Sequence, residues 1–399
     1  MSNTLLRSTV HSPSTLRGPF SPAFYRSDML SAETSQADKW LVQERSSLSS
    51  PEKSHLESSA FTFGQAPETY DVVCTQGTVM RTPCGNGMLN LHRDGRFWHF
   101  PGGIIAHPDL KPQMVQWLKK FSEQQRQTVL VYSVCDHELD EYRRAGYAIN
   151  KFGEEPIIDL TSLSWKGSAY EWVRRQTNYC IRAGLEVIEV SDSQTQLELA
   201  SQLDEIHDDD LSDRVYSKPL KLLEGEFNSR SLHRRRLFVA RNRETHRIEG
   251  FLSTSPMING KSWAFETYRK RRTAPRGTIP FLFRAVMDIM QGEGVEQASL
   301  CVVPGRGVQS DQTIHTDKRI RWLLETWYKR LNFMFNTAGQ DFFKSRFRPQ
   351  YQNRSICVYP QNTLGSFSSF LKTAGALRPN LRNLVRHLVR GGKHSAHHD

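Results

Sequence analysis

What most limits the folds open to this chain is an alternation. From about Thr69 onward, short apolar runs of strand character trade places with stretches of helical spacing. Residues 97–100 followed by Pro101-Gly102-Gly103 read as a strand entering a turn. Met114, Val115, Trp117, Leu118 and Phe121 recur at helical spacing. Residues 128–134 form an apolar strand, and 138–145 a helix that Gly146 stops. A similar order returns later. Residues 237–240 and 248–254 read as a hairpin, 262–268 as a strand and 280–291 as an amphipathic helix. A strand over 297–303, a helix over 322–331 and a strand over 356–359 follow. This pattern predicts an α/β (α+β) fold with a largely open sheet, in two mixed units hinged near 184–193.

The 399 residues leave room for such a pair and two flanking tails. Serine-rich residues 1–66 predict a disordered tail, 67–188 an N-terminal unit, 189–365 a C-terminal unit, and 366–399 a basic tail. Arg7, Arg17 and Arg26 precede the first acid, Asp28, so an organellar presequence is an alternative for the start. Near the other end, Leu381, Leu384, Val385, Leu388 and Val389 form an apolar stripe, with Arg382, Arg386 and Arg390 on other faces. Such a short basic helix suits the interface of an anionic membrane, or a helix docked on the protein's own core.

Basic residues outnumber acidic ones 53 to 42, a net charge of +11, which favours a polyanionic partner, nucleic acid or an acidic membrane face. The six cysteines are scattered without metal-like spacing and read as reduced, packed thiols of a cytoplasmic protein. No apolar run approaches the roughly 20 residues that span a bilayer, which predicts a soluble or peripheral chain.

Three segments carry candidate chemistry. In the first, Glu266 ends an apolar strand beside a basic loop holding Arg269, Arg272 and Arg276, and Gly277 precedes a helix whose N–H groups suit a phosphate or carboxylate. The plain alternative is a hairpin loop with Glu266 in a salt bridge. In the second, Lys344, Arg346, Arg348 and Arg354 alternate with Phe343, Phe347 and Tyr351, a pattern suited to a phosphodiester chain with stacked bases. The alternative is a solvated basic face over core aromatics. In the third, Glu154 and Glu155 form a carboxylate pair able to hold an ammonium or act as a base, and Arg174 and Arg175 can hold phosphate. His207 with Asp208, Asp209 and Asp210 invites a metal, but three consecutive acids point in different directions, so no metal is expected. The loop 272–277 lacks the second glycine of a pyrophosphate-binding loop, which disfavours acetyl-CoA.

Together these segments resemble the C-terminal domain of the phosphatidylglycerol lysyltransferase family (multiple peptide resistance factor-like lipid aminoacyltransferases). Gly153-Glu154-Glu155-Pro156 with Asp159-Leu160 is similar to the family's G-E-E-A and D-L pattern. Arg174-Arg175 and Asn178 stand at its L-R and N-R positions, and Glu224 and Phe227 at its E-x-x-F. Glu266-Thr-Tyr-Arg269 with Ala274-Pro275 and Gly277 is similar to D-L-M-R…D-A-P-x-G. The run from Phe343 to Arg354 is similar to F-K-x-K-F-x-P-x-W-x-x-R. This sequence departs at Glu266 for aspartate, Thr273 for an acid and Arg346 for lysine.

The resemblance covers about residues 70–360 and implies two tandem acetyltransferase-like (GNAT) domains. It also implies transfer of an aminoacyl group from aminoacyl-tRNA to a lipid headgroup hydroxyl, without a cofactor, beside the inner face of a membrane. The catalytic residues it implies are Glu266, Arg269 and Lys344. Arg346, Arg354, Arg276, Gly277, Glu154, Glu155, Arg174 and Arg175 are the substrate-binding expectations. Its partners are the aminoacyl-tRNA and an anionic phospholipid or membrane surface. An acyl-CoA-dependent N-acyltransferase and a non-catalytic RNA- or membrane-binding relative are the alternatives.

Overall fold

The computed structural model describes residues 40–74, 76–83, 85–309, 317–330 and 337–385. The expected presequence and the stripe residues Leu388 and Val389 lie outside the described residues. Structure begins inside the span expected to be a tail. Strand β1 (Leu41–Glu44) precedes helix α1 (Ser50–Phe63), which a reciprocal cap between Ser49 and Glu52 starts, with Pro51 in its first turn. The disordered-tail expectation is therefore corrected for residues 40–66. Leu48, Leu56 and Ala60 bury against Tyr70, Val72 and Met88, although they are too sparse among serines to give a helical stripe. Arg45 is itself buried and donates to the Cys74 carbonyl (3.1 Å) and Asn90 Oδ1 (3.2 Å), which fixes the 3-10 turn Pro67–Val73.

Two units of the same plan follow. In the first, β2 (Thr78–Arg81), β3 (Gly87–Asp94) and β4 (Phe97–Phe100) make an antiparallel meander, with β5 (Ile105–Ala106) on β3. Helix α2 (Lys111–Gln125) crosses to β6 (Thr128–Cys135), parallel to β4, and α3 (Leu139–Arg144) leads to β7 (Ala148–Asp159). The second unit starts with α4 (Glu171–Arg182), β8 (Leu185–Val190) and α5 (Ser193–Asp213). Its meander is β8, β9 (Arg236–Asn242), β10 (Ile248–Met257) and β11 (Ser262–Lys270). Helix α6 (Thr278–Gly292) then crosses to β12 (Gln297–Ser299), parallel to β11. Alternation along β9 sends Phe238 and Ala240 to the α6 side and Leu237 and Val239 to the α5 side.

The expected two-unit α/β plan is present, but the expected boundaries shift. Because α4 packs on α6 and β8 pairs with β9, the chain enters the second unit after β7, well before 188. Strand β14 (Gln350–Tyr359), late in sequence, inserts between β6 and β7 of the first unit. On its other edge β7 pairs with β12 and β13 (Val303–Pro304), so the fourteen strands among the described residues form one sheet. The strand expected over 297–303 breaks because Cys301 takes a left-handed backbone (φ 63°). Helices α7 (Lys318–Arg330) and α8 (Thr337–Ser345) precede β14.

Part of the expected C-terminal tail is core. Helix α9 (Leu364–Ala374) buries Phe370 and Ala374 against Tyr132, Phe152 and Trp327. In the helical residues 381–385, Leu384 packs on this core and Asn383 Nδ2 donates to the carbonyls of Ser212 (2.7 Å) and Arg214 (2.8 Å). Leu381 and Val385 stay exposed. The described part of the stripe is thus docked at Leu384 and open to solvent at Leu381 and Val385.

A buried polar chain pins α9 to the sheet. His99 Nδ1 lies 2.6 Å from Tyr132 Oη, and Nε2 lies 2.9 Å from Ser369 Oγ, which donates to Asp94 Oδ2 (2.8 Å). Burial pushes the His99 imidazole down to about 4, so folding favours its neutral form. Stability from this residue is complete above about pH 7 and drains away as pH falls from 6.5 towards 4. Relative to His99→Gln, the wild type should lose about 3 kcal/mol across that window and nothing above it. Urea midpoints measured from pH 4 to 8 on both proteins check this.

Candidate functional site

The site lies where the units meet, and a β-bulge sets its first residue. Thr254 pairs with Phe265 and Ser253 with Thr267, which leaves Glu266 as the extra residue of β11. Phe265 and Tyr268, three apart, consequently both meet Phe283 of α6 edge-on. Glu266 and Arg269 consequently both reach the loop around Glu224 and Gly225.

Glu266 is almost completely buried. Its Oε2 accepts from Ser255 Oγ (2.5 Å) and from Arg235 Nε (3.3 Å), while Oε1 has no hydrogen-bond partner among the described residues. Arg235 Nη2 also donates to Asp71 Oδ1 (3.2 Å), and its guanidinium lies over the Tyr70 ring. One cation from the second unit thus serves a carboxylate from each unit. Burial, and then the Glu266 charge, push the Asp71 carboxyl up to about 8, against the pull of Arg235. Gly225 closes this pocket, since a Cβ there would lie 3.1 Å from Glu266 Oε2 and 3.4 Å from Asp71 Oδ1.

A second buried set adjoins it. Arg354 on β14 donates through Nε to Glu155 Oε2 on β7, and through Nη2 to the Gln65 carbonyl (3.2 Å). Glu155 Oε1 accepts from Ser299 Oγ, which accepts the Cys301 N–H (3.1 Å). Lys344 Nζ, buried at the end of α8, donates to the Cys301 carbonyl (3.0 Å). Burial lowers the Lys344 ammonium, and nearby Cys301, Glu155, Asp341 and Glu68 oppose that. Glu68, one helical turn before Asp71, is pushed up to about 7 by burial. The left-handed turn at Cys301 aims its carbonyl at Lys344, and its Sγ donates to the Phe265 carbonyl (3.4 Å) next to Glu266.

Glu266, Lys344, Glu155 and Arg354 therefore share one junction. The other expected residues do not join it. Arg269 is held by Asp210 (2.9 Å) and Glu224 (3.4 Å), in a network with Arg214, so its charge is already matched and no ester or phosphate is needed to pair it. Glu154 does not pair with Glu155, because strand alternation turns it to the other face; there it takes Lys151 (2.7 Å) and Arg306 (2.9 Å). Arg174 donates to the carbonyls of Trp165 and Gly167 (both 2.6 Å), and Arg175 is exposed. Gly277 sits against α4, where a Cβ would lie 2.8 Å from the Gln176 carbonyl, and Arg276 is exposed. The Thr278 N–H already donates to Pro275 (3.1 Å), so this helix start holds no open phosphate cradle at that N–H. Arg346 lies half-buried between Trp172 and Phe342, away from the junction. His207 stacks on Phe227, and Asp210 serves Arg214 and Arg269.

Sequence reasoning missed Asp71, Arg235, Ser255, Glu68 and Ser299. Arg235 is hidden in the run Arg234–Arg236, which reads as a solvated basic stretch, and Asp71 in a segment with no periodicity. The available signal was a charged residue within an otherwise apolar neighbourhood, Tyr70-Asp71-Val72-Val73.

Fold and junction define a two-unit mixed α/β protein with a buried ionic site between its halves. The pattern of the family "Phosphatidylglycerol lysyltransferase, C-terminal" matches residues 63–358, and the chain belongs to that transferase family. Phosphatidylglycerol lysyltransferase of Staphylococcus aureus (strain COL) is 21% identical over 265 residues, 66% of this chain and 30% of the relative. The chain thus spans about a third of the length of the curated relatives it matches. Two solved structures share the fold. The C-terminal domain of a protein assigned as a lysylphosphatidylglycerol synthetase from Agrobacterium fabrum has a TM-score of 0.68 at 20% identity, covering 82% of this chain and 96% of that one. L-PGS from Bacillus licheniformis has a TM-score of 0.67 at 19% identity, covering 80% and 95%.

Removing Arg235 leaves two buried carboxylates without their shared cation. Arg235→Met should destabilise the fold by roughly 3–5 kcal/mol, and adding Asp71→Asn should recover part of that loss. Denaturant unfolding of both variants checks it; equal stability of the single and double variants would contradict the shared-cation reading.

Proposed function

We propose that this chain transfers an aminoacyl group from an aminoacyl-tRNA to a hydroxyl of a phosphatidylglycerol-like lipid headgroup. The observation that carries the reading is the Asp71–Arg235–Glu266 pocket, with one buried carboxylate oxygen unpartnered and Lys344 on the neighbouring network. Two carboxyls against one guanidinium suit a compact cation such as an α-ammonium. Glu266 Oε1 would accept from that ammonium, and Ser255 and Arg235 would hold the carboxyl group in place.

The reaction exchanges one ester for another. The headgroup oxygen attacks the ester carbonyl, the bond to the ribose oxygen breaks, and the proton of the attacking hydroxyl ends on the departing ribose hydroxyl. The ester is already activated, so positioning and stabilisation of the oxyanion suffice for most of the rate. Lys344 is suited to the second task, since among the described residues its ammonium donates only to the Cys301 carbonyl. Arg269, expected to face the ester, instead orders the Glu224–Gly225 loop over the pocket. An acyl-CoA reading is less well supported, because Gly277 is packed on Gln176 and the Thr278 N–H is taken.

A lipid acceptor also needs a surface that meets lipid. Among the described residues no helix is long and apolar enough to cross a membrane. Leu377, Leu381 and Val385 are exposed beside Arg378 and Arg382, a pairing of apolar and cationic groups that suits an anionic interface.

The test is transfer of a labelled amino acid into the lipid fraction, with and without RNase, for wild type and Glu266→Gln. Loss of a charge-assisted hydrogen bond to the ammonium, about 1.5–3 kcal/mol, corresponds to a fall in kcat/KM of roughly 10- to 100-fold. Wild-type transfer that survives RNase, or a Glu266→Gln variant at full activity, would overturn the assignment.

A further inference from the structure

Arg346 holds a position unlike the buried arginines of this protein. Buried Arg235, Arg269, Arg271 and Arg354 each pair with a carboxylate, and buried Arg45 donates to the Cys74 carbonyl and Asn90 Oδ1. Arg346, Arg175 and Arg348 form no ion pair among the described residues, and Arg346 Nε is buried without a partner. The Arg346 guanidinium lies 4.5 Å from the centre of the Phe342 ring and 5.7 Å from that of Trp172. Trp172 is wedged edge-on by Phe343 and Phe347, which stand on Phe283 of α6, so this side of the clasp rests on the core. Phe342 is 62% exposed, an open ring at the surface. Arg175 lies one helical turn beyond Trp172 and is exposed.

We infer that Phe342, Arg346 and Trp172 form a clasp for the unpaired end of an RNA strand, with a nucleobase stacked on Phe342 and phosphodiester oxygens on Arg346 and Arg175. This rests on the aminoacyl-tRNA reading and names the surface that would carry the donor. Charge complementarity selects the occupant. An aromatic face beside unpaired guanidinium groups matches a strand that alternates bases and phosphates, whereas a peptide or acyl chain would leave the cations unmatched. Helix α8 links the clasp to the junction. Phe342 projects outward from it, while Asp341 and Lys344 are buried, so one helix thickness, roughly 10 Å, separates a docked end from Lys344.

The probe is a fluorescein-labelled RNA hairpin ending in unpaired ACCA, followed by anisotropy at several salt concentrations with the full chain. Phe342→Ala should weaken binding about 10-fold, the loss of one stacked base, whereas Phe342→Tyr should bind like wild type. Arg346→Gln should reduce the salt dependence by about one phosphate contact. Phe342 is exposed, so unchanged melting of Phe342→Ala separates binding from folding. If the wild type binds the hairpin and performs RNase-sensitive transfer while Phe342→Ala and Arg346→Gln bind within twofold, the clasp is wrong and the transfer reading stands. The same holds if these variants lose only adsorption to anionic vesicles. A wild type with neither RNA binding nor RNase-sensitive transfer overturns both.

Discussion

A charge buried between two halves of a protein persists only if its partner arrives from elsewhere in the chain, and for Glu155 on β7 that partner is Arg354 on β14. The insertion of β14 between β6 and β7 is what brings them together. Through Glu155 the pair reaches Ser299, then the Cys301 turn, then Lys344. An ion pair this deep is weak support for net stability, since desolvating both charges offsets most of their attraction. Its effect is better described as a choice of register. A one-residue slip of β14 would turn Arg354 to the opposite face and leave Glu155 buried and unmatched.

The neighbouring pocket depends on a second local irregularity. In a regular strand, residues three apart point to opposite faces, and Glu266 and Arg269 would be separated by the sheet. The bulge at Glu266 cancels one step of that alternation. Both residues then meet the 224–225 loop, Arg269 by holding Glu224 and Glu266 by lying beneath Gly225. Asp71 enters from the first unit on a turn fixed by Arg45. The pocket is completed only when both units are in place, so folding and site assembly are one event.

This explains which parts were legible in the sequence. The alternation of strands and helices is local, so β6, β10, β11 and α6 fall where spacing puts them. The order Glu266…Arg269 and Phe343…Arg354 likewise survives as text, and three of its residues, Glu266, Lys344 and Arg354, converge on the junction. Asp71 and Arg235 are separated by 164 positions and share no motif. Nothing in either segment marks them as buried, because the burial is produced by strand pairing far away. The β7 pair shows the opposite failure. Glu154 and Glu155 look like one feature in sequence, and the pleat divides them between two ionic networks. The first helix was hidden for a third reason: its apolar residues are few, and only the Ser49–Glu52 cap announced it.

Charge is distributed unevenly on the two sides of α8. At the junction, carboxyls and cations are interleaved closely, and Glu68 and Asp71 are held well above the usual carboxylate range when no ligand cation is present. An ammonium arriving there would add positive charge and favour their ionised forms. On the outer side of α8, Arg346, Arg348 and Arg175 lack acidic partners among the described residues, so positive potential extends into solvent. One short helix therefore separates a closely interleaved ionic junction from a surface whose arginines have no acidic partner among the described residues. Under the proposed transfer, a donor with an ammonium at its tip and phosphates behind it would meet the two in that order.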